Sequence, residues 1–223
     1  VRDLAITILG GGGVGLVLSA AFLFPLHLNG TNVSPAAELL VLTLAMYVPL
    51  CVFGWWFALK RHGATLADAG LRWVGIGPIL LMIPATILLI VVTSLLSYLT
   101  GLVFGDVPTA QEQVLPGETS LPVIDLVWLV LAGAVAAPIT EEFLFRGLIY
   151  RYLRATRPIY TAILVSSLLF AAAHFTPALV PVLLVFGIAE ALVAERYDSL
   201  YPAMVLHALN NGTLFLSLYV VLN

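Results

Sequence analysis

Charge is what this chain has least of. Only 9% of its 223 residues are Asp, Glu, Lys or Arg, whereas soluble domains carry about 25%. A soluble core does not account for so large a deficit. With 61% of the residues hydrophobic, the expectation is an all-α fold, a polytopic transmembrane bundle in one integral membrane domain over residues 1–223. Cysteine is nearly absent. Cys51 stands alone, which excludes an internal disulfide, and its apolar run without a nearby base reads as a structural thiol rather than a nucleophile. There is no basic patch to attract nucleic acid and no low-complexity tail, and the net charge of -3 selects no partner. No internal repeat is evident.

What the chain does have is a series of long apolar runs, about seven in number. Leu4 to Leu26 is too long for a signal-peptide core and lacks a cleavage site, so it reads as a span. Its glycine-rich stretch is not a phosphate loop, since no lysine follows. Gly11 and Gly15 form a small-xxx-small pair that favours close helix contact. A second span covers about Leu39–Leu59, and the polar connection Lys60–Arg72 follows. The third covers Ile76–Val103, with Pro84 inside it. The stretch Gly105–Leu121 carries Asp106, Glu112 and Glu118 but no Lys or Arg. The fourth apolar run starts near Val123 and continues to Arg157-Pro158, too long for one straight crossing at ~1.5 Å per residue. It predicts either a kink at Pro138 or an inner portion beyond the bilayer. The last three spans are expected at Ile159–Phe175, Pro177–Val193 and Leu200–Leu222.

Positive charges give the orientation. Arg2, the Lys60–Arg72 connection, the Arg151–Arg157 cluster and Arg196 fall on alternate connections. Every Lys and Arg except Arg146 is therefore consistent with one side, the cytoplasm. Two glycosylation sequons, at Asn29 and Asn32, fall on the other side. Trp55, Trp56, Trp73, Tyr152 and Tyr201 read as an interfacial belt.

Few groups at depth can do chemistry: Glu141, Glu142, Arg146, His174, Glu190, His207, Asn210 and Asn211. An ionisable group inside a membrane is a functional-site hypothesis by default. On a helix, Glu142 and Arg146 share a face and can pair, while Glu141 points about 100° away. Glu141 lies sixteen residues before Arg157 and His174 seventeen after it. Both are then ~24 Å from the turn of an antiparallel hairpin, at one depth. His207 and Asn211 share a face of the last span at a comparable depth. A carboxylate beside an imidazole can deprotonate water. A second imidazole with an amide can stabilise an oxyanion. The reading is water-activated acyl hydrolysis, with Glu141 as base, His174 holding the water, and His207 with Asn211 polarising the carbonyl.

Glu141-Glu142-xxx-Arg146, Phe170-xxx-His174 and His207-xxx-Asn211 occur in that order on successive spans. They resemble the three motifs of the CPBP family, the CAAX-processing and bacteriocin-processing intramembrane proteases, also called Abi proteins or type II CAAX prenyl endopeptidases. The resemblance covers residues 125–212. It implies a helical-bundle endopeptidase of the cell membrane with a cavity toward the cytoplasm. Its substrate would be a membrane-associated peptide or lipidated protein, of prenylated CAAX type or bacteriocin-like, cleaved near its C-terminus. The same four residues take the same four roles by this resemblance. Glu142 and Arg146 support them, with Arg146 a candidate contact for a substrate carboxylate. Glu190 departs from the family pattern, which leads one to expect a small residue there.

Other readings stand beside this one. His174, His207 and Glu141 could hold zinc, although the chain has no His-Glu-x-x-His helix, and the main expectation is that no cofactor is needed. A proton-coupled membrane carrier also uses buried acids and histidines, although the absence of an inverted repeat speaks against it. A non-catalytic immunity or scaffold protein of the same fold is the third reading.

Overall fold

The computed structural model describes residues 2–28, 33–105, 115, 117 and 119–223. Both sequons, at Asn29 and Asn32, lie outside the described residues, as do Asp106, Glu112 and Glu118. The described chain is helical, with no strand among its described residues. Among the described residues, six helices are long and apolar enough to span: α1 (Arg2–Pro25), α2 (Pro35–His62), α3 (Ile76–Val103), α4 (Val123–Thr156), α6 (Pro177–Tyr197) and α7 (Leu200–Leu222). Between α4 and α6 lies α5 (Ile159–Ala172), with 14 residues. At ~1.5 Å per residue it is ~21 Å long, short of a ~30 Å hydrocarbon core. The polytopic bundle is therefore present, with six helices of spanning length where about seven were expected.

The chain divides into two compact units. The first comprises Val1–Ala64, Thr109–Thr140 and Asn210–Asn223. Here α1 packs on α2 through its small residues. A Cβ on Gly11 would stand 3.0 Å from the Leu50 Cα, and one on Gly15 2.9 Å from the Met46 Cα. The backbones thus approach as the small-xxx-small pair anticipated. At one end of this pair Asp3 receives His62 at 2.9 Å, with Arg2 and Arg61 each at 3.9 Å. At the other, Ser34 caps α2 by accepting from the Ala37 N–H and donates to Asp125 at 2.6 Å. Leu129, Ala134, Phe215 and Leu218 form the buried core that joins α4 to α7. Gly133 makes room for the Phe215 ring, which would lie 2.5 Å from an added Cβ. The Cys51 thiol donates to the Thr140 hydroxyl at 3.5 Å.

The second unit comprises Thr65–Pro108 and Glu141–Leu209. Met82, Leu89, Phe170, Phe186 and Leu206 make a core from α3, α5, α6 and α7. The connection before α3 is folded back by Thr65, whose hydroxyl and N–H both donate to Asp68. These bonds hold the Asp68 carboxyl below its ordinary range. Gly70, at φ 97°, adopts a backbone that side chains disfavour and lies against the Arg151 guanidinium. Asp198 ends α6 and takes both Arg72 and Arg151 at 2.8 Å. The basic connections on either side of α3 and α4 thus end at one place in this unit.

Pro138 is fully buried, and α4 continues through it. Wide π-type turns flank it at Val130–Ala136 and Glu142–Tyr150. A proline cannot donate to the carbonyl four residues back, and π turns are one way a helix absorbs that loss. In the second wide stretch eight of nine residues are buried, Glu142 and Arg146 among them.

Candidate functional site

The second unit contains a buried charge cluster. Glu142 and Arg146 are one turn apart on α4, and Nη1 of the arginine donates to Oε1 of the glutamate at 2.8 Å. Their side chains are 0% exposed. Arg146 Nη2 donates to the Gly187 carbonyl at 3.0 Å and lies 2.9 Å from Oε2 of Glu190, both on α6. Gly187 permits this approach, since a Cβ there would meet Arg146 Nη2 at 3.3 Å and Ser167 at 3.1 Å. Beneath the guanidinium lies the Phe170 ring, 4.5 Å away, a cation–π contact that α5 supplies.

His207 enters from α7. Its Nδ1 is 3.1 Å from Oε1 of Glu142 and 3.1 Å from Oε1 of Glu190. An ionised carboxylate only accepts, so Nδ1 carries a proton and donates to Glu142. The opposite nitrogen, Nε2, lies 3.9 Å from Oε2 of Glu141. Phe186 and Phe170 pack edge-on against the imidazole, with centroids 5.0 and 6.1 Å away. An aromatic wall and two acids thus fix the ring plane.

His174 sits differently from its expected place inside a span. Helix α5 stops at Ala172, and His174 lies exposed in the turn that follows, before Phe175 at φ 53°. Its Nδ1 donates to the Phe170 carbonyl at 2.9 Å, and its ring packs on Phe170 at 4.8 Å. Phe170 therefore contacts both histidines and Arg146. Asn211 belongs to the first unit, where its Nδ2 donates to the Gly133 carbonyl at 2.7 Å. Its neighbour Asn210 donates to the Asn211 Oδ1 at 3.3 Å. An amide has two N–H donors, and Gly133 takes one of them.

Glu190 belongs to the same cluster. It is wholly buried and joins Glu142, Arg146 and His207. Its only signal in the sequence was an acid within an apolar run. The Arg146 side chain, a candidate for meeting a substrate carboxylate, is fully buried, and both terminal nitrogens lie against Glu142, Glu190 and Gly187.

Among the described residues, the donors that converge closely enough for a metal are Glu142, Glu190 and His207, within 4.8 Å of one another. The set considered from the sequence was His174, His207 and Glu141. The converging set does not suit a cation, because Arg146 stands 2.8 and 2.9 Å from its two carboxylates. In addition, the Nδ1 that would ligate is donating its proton to Glu142.

No curated protein and no solved structure matches the chain. The acids, imidazoles and amides of this site all fall within residues 123–213, and that segment matches the family model described as Type II CAAX prenyl endopeptidase Rce1-like.

Proposed function

We propose that the protein is an intramembrane endopeptidase that cleaves a membrane-associated peptide or lipidated protein near its C-terminus with a glutamate-activated water. The observation that carries this reading is the 3.9 Å approach of His207 Nε2 to Glu141 Oε2, with Nδ1 held on Glu142. Glu141 accepts a proton from water as the oxygen attacks the scissile carbonyl. His174, in the turn after α5, orients that water. His207 donates to the oxyanion that forms, and the His207-xxx-Asn211 motif of the sequence assigns Asn211 the second donor. Glu141 then returns the proton to the leaving amine, and the peptide bond breaks with a net consumption of one water. Glu142 and Arg146 support the imidazole from beneath.

The substrate class in this reading is a prenylated CAAX-type or bacteriocin-like chain. The site opens toward the cytoplasmic half of the cell membrane. The orientation is supported by two basic clusters, one around Asp3 and one around Asp198, each gathered at helix ends within its own unit.

The test uses purified protein in lipid nanodiscs with two reporter peptides of one sequence, one prenylated and one not. Cleavage that requires the lipid supports the CAAX-type reading, and equal cleavage of both moves the substrate class to unlipidated peptides. Proton-dependent solute uptake in proteoliposomes without cleavage of either overturns the proposal.

A further inference from the structure

Among the described residues, two that are not glycine hold the backbone in the left-handed region, Asp198 at φ 46° and Phe175 at φ 53°. Asp198 has its reasons in view. Aspartate tolerates that region, and Arg72 and Arg151 each meet its carboxylate at 2.8 Å. Phe175 has neither advantage. A bulky side chain there is a genuine outlier, because its Cβ crowds the following carbonyl. Burial does not offset the strain, since Phe175 is 90% exposed.

The turn is fixed by its neighbours. The Phe175 N–H donates to the Ala172 carbonyl at 3.1 Å, and the His174 N–H donates to the Ala171 carbonyl at 3.3 Å. The Thr176 hydroxyl donates to the His174 carbonyl at 3.1 Å. The His174 ring is held by the carbonyl and the ring of Phe170. Strain persists where the surroundings over-determine a conformation, and such residues cluster at active sites and ligand clamps. Here the effect is to carry an aromatic ring clear of the chain. The ring stands one residue from the imidazole that orients water in the proposed mechanism. Phe170 also packs on the His207 ring, with centroids 6.1 Å apart, so the turn lies beside the reacting groups.

The proposed substrate brings what an exposed ring lacks. In a lipidated chain cleaved near its C-terminus, the lipid-bearing residue lies close to the scissile bond. Burying a Phe side chain against apolar surface is worth about 10–100-fold in affinity. We propose that Phe175 is a specificity-determining residue, which packs its ring against the lipid chain of the substrate and sets the preference for lipidated over unlipidated peptides. This deepens the endopeptidase reading and rests on it. Phe175 takes no part in the proton transfers.

The experiment compares wild type, Phe175→Gly and Phe175→Leu in nanodiscs of one lipid composition, with a prenylated and an unlipidated reporter peptide of one sequence. Glycine suits the backbone at this position, so Phe175→Gly should melt at or above the wild-type temperature. Its ratio of kcat/KM for the prenylated over the unlipidated reporter should fall about 10–100-fold, mostly through KM. Phe175→Leu keeps an apolar side chain and should retain most of the preference. A wild-type ratio in Phe175→Gly overturns the proposal, as does equal cleavage of both reporters by the wild-type protein. A lower melting temperature with equal losses toward both reporters also overturns it, since the residue would then be structural only. If the wild-type protein cleaves neither reporter, the endopeptidase reading falls and binding decides the inference. Fluorescence anisotropy of the labelled prenylated peptide should then show weaker binding to Phe175→Gly, and equal binding overturns the proposal, leaving membrane acyl chains as the neighbours of the ring.

Discussion

His207 and Glu142 are 65 residues apart in the chain, yet the imidazole Nδ1 donates to the carboxylate at 3.1 Å. That bond turns the other ring nitrogen toward Glu141. The two neighbouring glutamates thereby take different tasks: one anchors a histidine, and the other faces its free edge.

The division of labour makes Glu141 the acid to remove first. Glu141→Gln should lower kcat by at least about 10²–10⁴-fold, the usual worth of a general base, while the thermal unfolding midpoint in detergent stays near wild type. Wild-type turnover in a folded Glu141→Gln protein would end the glutamate mechanism.

Arg146 carries a structural burden. Arg146→Met leaves Glu142 and Glu190 buried without their cation, and should destabilise the protein by about 3–5 kcal/mol. A double variant, Arg146→Met with Glu190→Leu, removes one acid with the base and should recover part of that loss. Equal stability of the single and double variants would show that Glu190 and Arg146 are not coupled.

Metal content offers a direct check on the role of the guanidinium. Since Arg146 lies against both carboxylates of the converging set, purified protein should carry less than stoichiometric zinc, and cleavage should survive a chelator. Chelator inactivation reversed by added zinc would contradict this.

Away from the site, Gly15→Val probes the contact of α1 with α2. The added Cβ would lie 2.9 Å from the Met46 backbone, and overpacking of that kind costs about 1–3 kcal/mol. Thermal melts measured beside Gly13→Val, where nothing lies within 4 Å of an added Cβ, should separate the two, and matching melts would refute close packing at Gly15.

Much of this was legible beforehand because lipid imposes simple rules. Runs such as Ile76–Val103 and Leu200–Leu222 announce spanning helices by length and composition alone. The Glu142–Arg146 pair followed from helix periodicity. His174 falls outside the helix, although the apolar run continues to Phe175, because the helix stops at Ala172. Pro177, a few residues on, was the available stop signal. Glu190 could not be paired from sequence, since its partners Arg146 and His207 lie on other helices and no spacing rule links them. Gly133 is another such case, because a glycine in a span reveals nothing of the Phe215 ring it accommodates.

The shortness of α5 extends beyond the protein. A helix of 14 residues, if it meets lipid, is accommodated by thinning the leaflet around it, at a modest cost for each ångström of mismatch. Cleavage is therefore expected to vary with acyl-chain length, and rates measured in nanodiscs of graded thickness check it.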